Sequence, residues 1–135
     1  MRPSRRLDFG FFFWVLMVAL IILFFSCRAE ATEGTASYYT AKSCQREGTS
    51  GVWTASGMRY DENAMSCALP SYDFYGWYRV TNKANGRSVV VLHNDFGPNK
   101  KLVRSGRIID LSKGAFKRIA STGNGLVEVE VERIR

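Results

Sequence analysis

Histidine occurs once in the 135 residues, at position 93, and cysteine three times, at positions 27, 44 and 67. No Cys-x-x-Cys pair is present. A metal site built from closely spaced His and Cys is therefore unsupported, and neither a metal nor a cofactor is expected. There is no internal repeat and no low-complexity tract, so one small domain plus an accessory segment is the natural division for this length. The basic residues form no cluster, which argues against nucleic acid as a partner. Charge is missing altogether from Phe9 to Cys27, and that absence is the most informative.

Arg2, Arg5 and Arg6 precede the uncharged run. A basic start followed by an apolar stretch is the pattern of an export signal, and this stretch is almost long enough to span a bilayer as a helix. Residues 1–31 are thus expected to be a signal peptide or an amino-terminal membrane anchor. Ala29-Glu30-Ala31 fits the small-x-small cleavage pattern. Ser26-Cys27 offers a competing lipoprotein site, with lipid on Cys27, and an uncleaved anchor is the third reading. All three export the domain to the periplasm, cell envelope or exterior, because the arginines favour the cytoplasmic side. In an oxidising compartment Cys44 and Cys67 are expected to form a disulfide. The formal net charge is +7, of which residues 1–31 supply +2, leaving +5 on the exported part. A modest positive charge outside the cell suits anionic wall polymers or a membrane surface.

The remaining chain reads as short strands. Ala36–Thr40 is a first strand, and residues 41–58, rich in Gly, Ser and Thr, read as loop with a short strand at Val52–Thr54. Residues 60–75 read as irregular, with Pro70 barring a helix. Trp77–Asn82 and Arg87–Asn94 are rich in β-branched and aromatic residues and flank Asn85-Gly86, which suggests a hairpin closed by a type I′ turn. Arg107–Ile109 is a further strand. Leu111, Ala115, Phe116, Ile119 and Ala120 recur at helical spacing, with Ser112 as the cap. From Leu126 to Ile134 valines alternate with glutamates, the pattern of a half-buried strand.

In sequence order, Gly34–Tyr39, Thr54–Gly57 with Tyr60-Asp61, Ala64-Met65 with Leu69-Pro70, Arg79–Asn82 with Asn85–Val91, Asn94–Pro98, and Arg107–Ser112 with Ala115-Phe116 resemble six blocks of the RlpA (rare lipoprotein A) family. The resemblance covers nearly all of residues 34–135. It implies an all-β fold with small α content, a six-stranded double-psi β-barrel with one short helix. It implies lytic transglycosylase activity on peptidoglycan, cutting MurNAc–GlcNAc linkages to leave 1,6-anhydro ends. The alternative is a non-catalytic, expansin-like wall-binding or wall-loosening module. Met58 stands where many members have Glu, no His precedes Leu69-Pro70, and Phe96 replaces the usual Arg. No carboxy-terminal SPOR (peptidoglycan-binding) domain is expected before Arg135.

Cleaving a glycosidic bond calls for a carboxyl group that delivers a proton to the leaving oxygen. Asp110 is the first candidate. It is flanked by Ile109 and Leu111, and related barrels carry their acid at its position; its competing role is a helix cap. Asp95, in the Asn-Asp-Phe-Gly-Pro run, is second, with a turn Asp as the competing role. Asp61 is third. His93 could orient Asp95. Tyr39, Trp53, Tyr75 and Trp77, with Tyr72 and Phe74 in the same aromatic-rich stretch, offer flat faces suited to sugar rings, although core packing competes for them.

Overall fold

The structure is a computed structural model, and it describes residues 9–25, 30–46, 48 and 51–134. Cys27 and the start of the Ala29–Ala31 cleavage motif lie outside the described residues. Within the uncharged run lies helix α1 (Phe9–Phe25), apolar on every side, and from Phe9 to Ile21 its side chains are exposed apart from a half-buried Val18. Its 17 residues span about 25 Å, against a hydrocarbon core of about 30 Å. Among the described residues no helix is long and apolar enough to cross a membrane.

Six strands follow: β1 (Ala31–Tyr39), β2 (Ser66–Leu69), β3 (Trp77–Asn82), β4 (Ser88–Phe96), β5 (Arg107–Ser112) and β6 (Val127–Arg133). They close into a barrel in the order β1-β5-β2-β4-β3-β6. The β1–β5 and β2–β4 pairs are parallel and the other four antiparallel. Two long connections link strands that are not neighbours: residues 40–65 lead from β1 across β5 to β2, and residues 97–106 lead from β4 across β2 to β5. This is the expected six-stranded double-psi barrel.

The interior is filled by one face of each strand. Ala36, Cys67, Val80, Val89, Val91, Ile109, Leu111, Val129 and Val131 form one buried cluster. Helix α4 (Lys113–Ile119) covers it with Ala115, Phe116 and Ile119. Ser112 begins this helix as expected, its Oγ accepting from Ala115 N–H at 3.2 Å. The same hydroxyl donates to the Ala64 carbonyl, tying the first long connection to the helix start.

Helix content is larger than expected. Residues 41–58, read as loop, begin with α2 (Ala41–Arg46), and α3 (Lys100–Arg104) lies in the second connection. Thr40 Oγ1 accepts from Ser43 N–H at 3.1 Å while Ser43 Oγ accepts from Thr40 N–H at 2.9 Å, a reciprocal cap that starts α2. The expected strand at Val52–Thr54 is reduced to a single bridge, Trp53 to Arg59. The irregular 60–75 stretch contains β2, which its Ser-Cys-Ala-Leu sequence did not signal.

The β3–β4 hairpin is present, but not with a type I′ turn. Among the described residues Tyr75 is the only non-glycine at positive φ, so Asn85 does not adopt the conformation that turn demands. The loop is wider, closed by Gly86 N–H donating to the Asn82 carbonyl, with Gly86 at φ +72°. The asparagines serve another purpose: both Nδ2 groups donate to the Ile119 carbonyl at 2.9 Å, pinning the hairpin tip to the end of α4.

Candidate active site

One end of the barrel, where the two long connections meet, carries a groove of about 450 Å³. Its floor is made by strand ends. Ala68 of β2 pairs with Asp95 of β4 on one side and Asp110 of β5 on the other. The three residues therefore form one row across the sheet, Asp95–Ala68–Asp110. In-register neighbours project to the same face, so both carboxylates are directed to the groove with only a methyl group between them. Their Cα atoms are two strand spacings apart, about 10 Å.

One register shift produces this row, and a second places a cation beside it. His93 pairs with Cys67 and Asp95 with the next residue, Ala68, so Asn94 is an extra residue on β4. Without it Asp95 would continue the inward series Val89, Val91, His93. The bulge turns it outward. On β5 Ile108 is the extra residue, since Thr35 pairs with Arg107 and Ala36 with Ile109. That bulge brings Arg107 onto the face of Asp110, and Arg107 Nε donates to Asp110 Oδ1 at 2.5 Å.

Asp110 is 8% exposed, the more buried of the two carboxylates. The expectation that Ile109 and Leu111 surround it needs correcting: adjacent strand residues face opposite sides, and both leucine-type neighbours point into the core. Its actual neighbour is the Arg107 guanidinium. Its Oδ2 lies by Gly97, where an added Cβ would sit 3.8 Å away. Gly97 adopts φ +149°, which side-chain-bearing residues rarely take, so glycine brings the backbone to the carboxylate. Asp95 Oδ1 accepts from the Ala55 and Phe96 N–H groups, each at 2.9 Å, which fixes the carboxylate plane.

The walls are aromatic. Trp53 is 62% exposed, and Tyr72, 74% exposed, stacks on Phe96 with ring centroids 4.4 Å apart. All three line the groove. Tyr39, at the end of β1, lines it from beneath. Its hydroxyl is buried and has no hydrogen-bond partner. Burial, and then the Asp95 charge, push this phenol far above the ordinary tyrosine range, so it stays a neutral donor.

Of the sequence candidates, Asp110, Asp95, Tyr39 and Trp53 meet in the groove. Tyr75 stands near it, its hydroxyl donating to the Ser56 carbonyl at 3.2 Å. Asp61 does not line the groove; its Oδ1 accepts from Asn63 N–H at 2.8 Å, the role of a turn residue. Trp77 is on the barrel wall, opposite Leu92. His93 is fully buried, on the core face, with its ring nitrogens 3.0 Å from the Asp73 and Asp95 carbonyl oxygens. It thus braces the Asp95 backbone rather than the carboxylate. Sequence reasoning missed Arg107 and the Tyr72–Phe96 stack. Spacing hid Arg107, because residues three apart on a regular strand face opposite sides.

The expected Cys44–Cys67 disulfide is not formed; both residues are thiols. Cys67 belongs to the inward row with Leu111 and His93, whereas Cys44 of α2 lines the groove. Burial, and then the Asp110 charge, push the Cys67 thiol far above its ordinary range.

A closed double-psi barrel with paired carboxylates in an aromatic groove defines the class. The chain belongs to the family described as lytic transglycolase, whose sequence profile matches residues 31–131. It is 42% identical over 100 residues to the probable endolytic peptidoglycan transglycosylase RlpA of a Nostoc species, covering 74% of this chain and 25% of that protein. To the endolytic peptidoglycan transglycosylase RlpA of Neisseria meningitidis serogroup A it is 37% identical over 107 residues, 78% of this chain and 41% of the relative. The chain thus spans a quarter to under half the length of these curated relatives. Among solved structures it resembles the Streptomyces papain inhibitor, with TM-score 0.59 and 23% identity over 78% of this chain and 96% of that one. It also resembles the Clavibacter michiganensis expansin, with TM-score 0.57 and 20% identity over 78% of this chain and 51% of that one. These two likenesses concern the fold alone.

Proposed function

We propose that the barrel is a lytic transglycosylase that cuts the MurNAc–GlcNAc linkage of peptidoglycan and leaves a 1,6-anhydro end. The observation that carries this reading is the Asp95–Ala68–Asp110 row on the groove floor; the relatives that bear the activity in their names support it. The row supplies two carboxylates on one face of the groove.

Asp110 is assigned as acid and then base. Arg107 holds Oδ1, and Oδ2, beside Gly97 on the groove, is assigned to handle the proton. Oδ2–H protonates the glycosidic oxygen as the C1–O bond breaks, and positive charge develops at C1 and the ring oxygen. The sugar's own 6-hydroxyl then attacks C1, and its proton returns to Oδ2. No water enters, so one carboxyl group serves both steps. The Asp95 carboxylate, fixed by two N–H donors on the far side of Ala68, stabilises the developing positive charge. The amino-terminal segment is read as the export signal or anchor that places this barrel at the wall.

The expansin-like alternative has one specific support. Met58, at a position where many members carry Glu, brings a thioether that accepts from Asn94 Nδ2 at 3.9 Å in place of a carboxylate. Incubation with purified sacculi separates the two readings. Anhydromuropeptides in the digest establish the transglycosylase. Binding to sacculi with no new ends establishes the wall-binding module, and plain reducing ends would show hydrolysis instead.

A further inference from the structure

The ring of His93 is fully buried and meets two acceptors. Nδ1 lies 3.0 Å from the Asp73 carbonyl oxygen, and Nε2 lies 3.0 Å from the Asp95 carbonyl oxygen. A carbonyl oxygen only accepts, so each ring nitrogen needs a proton to bond there. Neutral imidazole has one N–H and one lone pair, and only the imidazolium has two N–H groups. In the neutral ring a nitrogen lone pair would face a carbonyl lone pair, with no water to part them. The two contacts are therefore satisfied together in the charged form alone.

The surroundings suit that form. A buried charge is tolerated when it is hydrogen-bonded, and both N–H groups are. The Phe74 ring centroid is 5.1 Å from that of the imidazole, within reach of a cation–aromatic attraction. Among the titratable groups nearby, Cys67 is the register partner on β2 and Tyr78 packs from β3. Burial raises both, so the thiol and the phenol stay neutral. Asp73 and Asp95 bring carboxylates on the residues whose carbonyls the ring meets. Arg133 of β6, over the Tyr78 ring, is paired with Asp73 at 2.5 Å. The other elements present apolar groups to the core: Ala36 from β1, Leu111 from β5 and Phe116 from α4.

The two carbonyls belong to separate parts of the groove wall. Asp73 follows Tyr72, Asp95 precedes Phe96, and those two aromatic rings stack 4.4 Å apart. The backbone of His93 grips the same segment: it accepts from Tyr75 N–H at 2.8 Å and donates to the Gly76 carbonyl at 2.9 Å. Tyr75 holds φ +72°, a strained conformation that persists only where its surroundings impose it.

We propose that His93 is a positioning residue, an imidazolium clamp whose two N–H groups join the segment carrying Tyr72 to the strand end carrying Asp95. As pH rises the ring loses one proton and one of the two bonds with it. Asp95 and the Tyr72–Phe96 wall then lose their fixed spacing. The effect on wall binding rests on reading the groove as a glycan site; the clamp does not.

The chain has a single histidine, so isotope labelling of histidine ring nitrogens reports His93 alone. The full chain is followed by NMR from about pH 5 to about pH 8, the interval in which histidine serves as a switch. Two ring N–H signals are expected at the acid end and one at the alkaline end. The Ala55 and Phe96 amides, which donate to the Asp95 carboxylate, and the Tyr75 amide should shift with the same midpoint. A ring that keeps one N–H or two throughout would overturn the proposal, as would amides that stay still while the ring titrates. Pelleting with purified sacculi carries the test to the groove. A hydrogen bond from a charged donor corresponds to about 10–100-fold in an equilibrium, so wild-type affinity should fall by about 10-fold with that midpoint. His93→Gln cannot become a cation and should show no step; a step that survives in it refutes the assignment. If the variant does not fold, the wild-type ring spectra decide. Wild-type protein that pellets at no pH sinks the glycan reading and leaves the clamp to those spectra.

Discussion

Replacing Asp110 by Asn removes the transferable proton while keeping shape. In the fold, the substitution touches the contact of Arg107 Nε to Oδ1 at 2.5 Å, between side chains that are 23% and 11% exposed. Asn Oδ1 still accepts from Nε, so the geometry survives; the charge attraction to Arg107, which Asp110 has only in its ionised base form, is lost. Exposed ion pairs contribute up to about 1 kcal/mol, and breaking a fully buried one costs about 3–5 kcal/mol. This pair lies between those limits, so a loss of about 1–3 kcal/mol is expected. At about 4–8 °C per kcal/mol for a domain of this size, the melting temperature falls measurably but the protein remains folded at assay temperature. Catalysis responds more strongly. Loss of the acid lowers the rate by about 10²–10⁴-fold, equivalent to about 2.7–5.5 kcal/mol of barrier. The assay is the yield of anhydromuropeptides from sacculi, with circular dichroism and a thermal melt on the same samples. Asp95→Asn keeps the acceptor for the Ala55 and Phe96 N–H groups, so it should fold normally and lose less activity. A stable, fully active Asp110→Asn beside a stable, inactive Asp95→Asn would refute the assignment and move the acid to β4.

Other perturbations test the parts that support the site. Gly97→Ala has room for its methyl group, with nothing nearer than 3.7 Å, but φ +149° strains any side chain; a loss of about 1–3 kcal/mol in denaturant unfolding is expected, and an unchanged midpoint would contradict it. Ser112→Ala removes both the α4 cap and the bond to the Ala64 carbonyl, and should cost about 2–3 kcal/mol, read as a lower melting temperature. In native protein without reductant, iodoacetamide should modify Cys44 while Cys67 reacts only after unfolding; equal labelling would show that Cys67 is not sealed in the barrel. Tyr39, Tyr60 and Cys67 are all raised above their ordinary values of 10.0, 10.0 and 9.0, chiefly by burial. Above about pH 9 the unfolded chain therefore releases protons that the native state keeps, and stability should fall as pH rises; a flat stability profile to about pH 10.5 would refute this.

How far the sequence discloses these features depends on where the deciding force lies. Trp77–Asn82 forms β3 with the expected bounds, because its aromatic and β-branched residues favour a strand locally. The valine–glutamate alternation of β6 is equally local, as is the Ser112 cap. β2 is different. Ser66, Cys67 and Ala68 have little strand preference of their own, and they are a strand because β4 and β5 flank them. Small residues are what that position demands, since Cys67 faces a filled core and Ala68 must leave space between two carboxylates. The Asn85-Gly86 turn was misjudged for a related reason. Both asparagines are engaged by the Ile119 carbonyl, a partner more than thirty residues away that no local turn rule includes.

The active-site candidates show the same division in sharper form. Residue type was enough to single out Asp95 and Asp110, since carboxylates at strand ends are few. Their surroundings were not legible, because each is set by a one-residue bulge. A sequence read at period two puts Asp95 in the core beside His93 and places Arg107 on the face opposite Asp110. Asn94 and Ile108 each break that period once, and the two breaks act on the strands that flank β2. The consequence is chemical: one bulge delivers the second carboxylate to the groove, and the other delivers the guanidinium that occupies Asp110 Oδ1. Each strand then keeps an unbroken inward face, His93 and Val91 on β4, Ile109 and Leu111 on β5, so the charged row is gained without opening the core. The bulges lie where strands pass into the long crossing connections, and there an extra residue can be absorbed without shifting the register of the opposite end of the barrel.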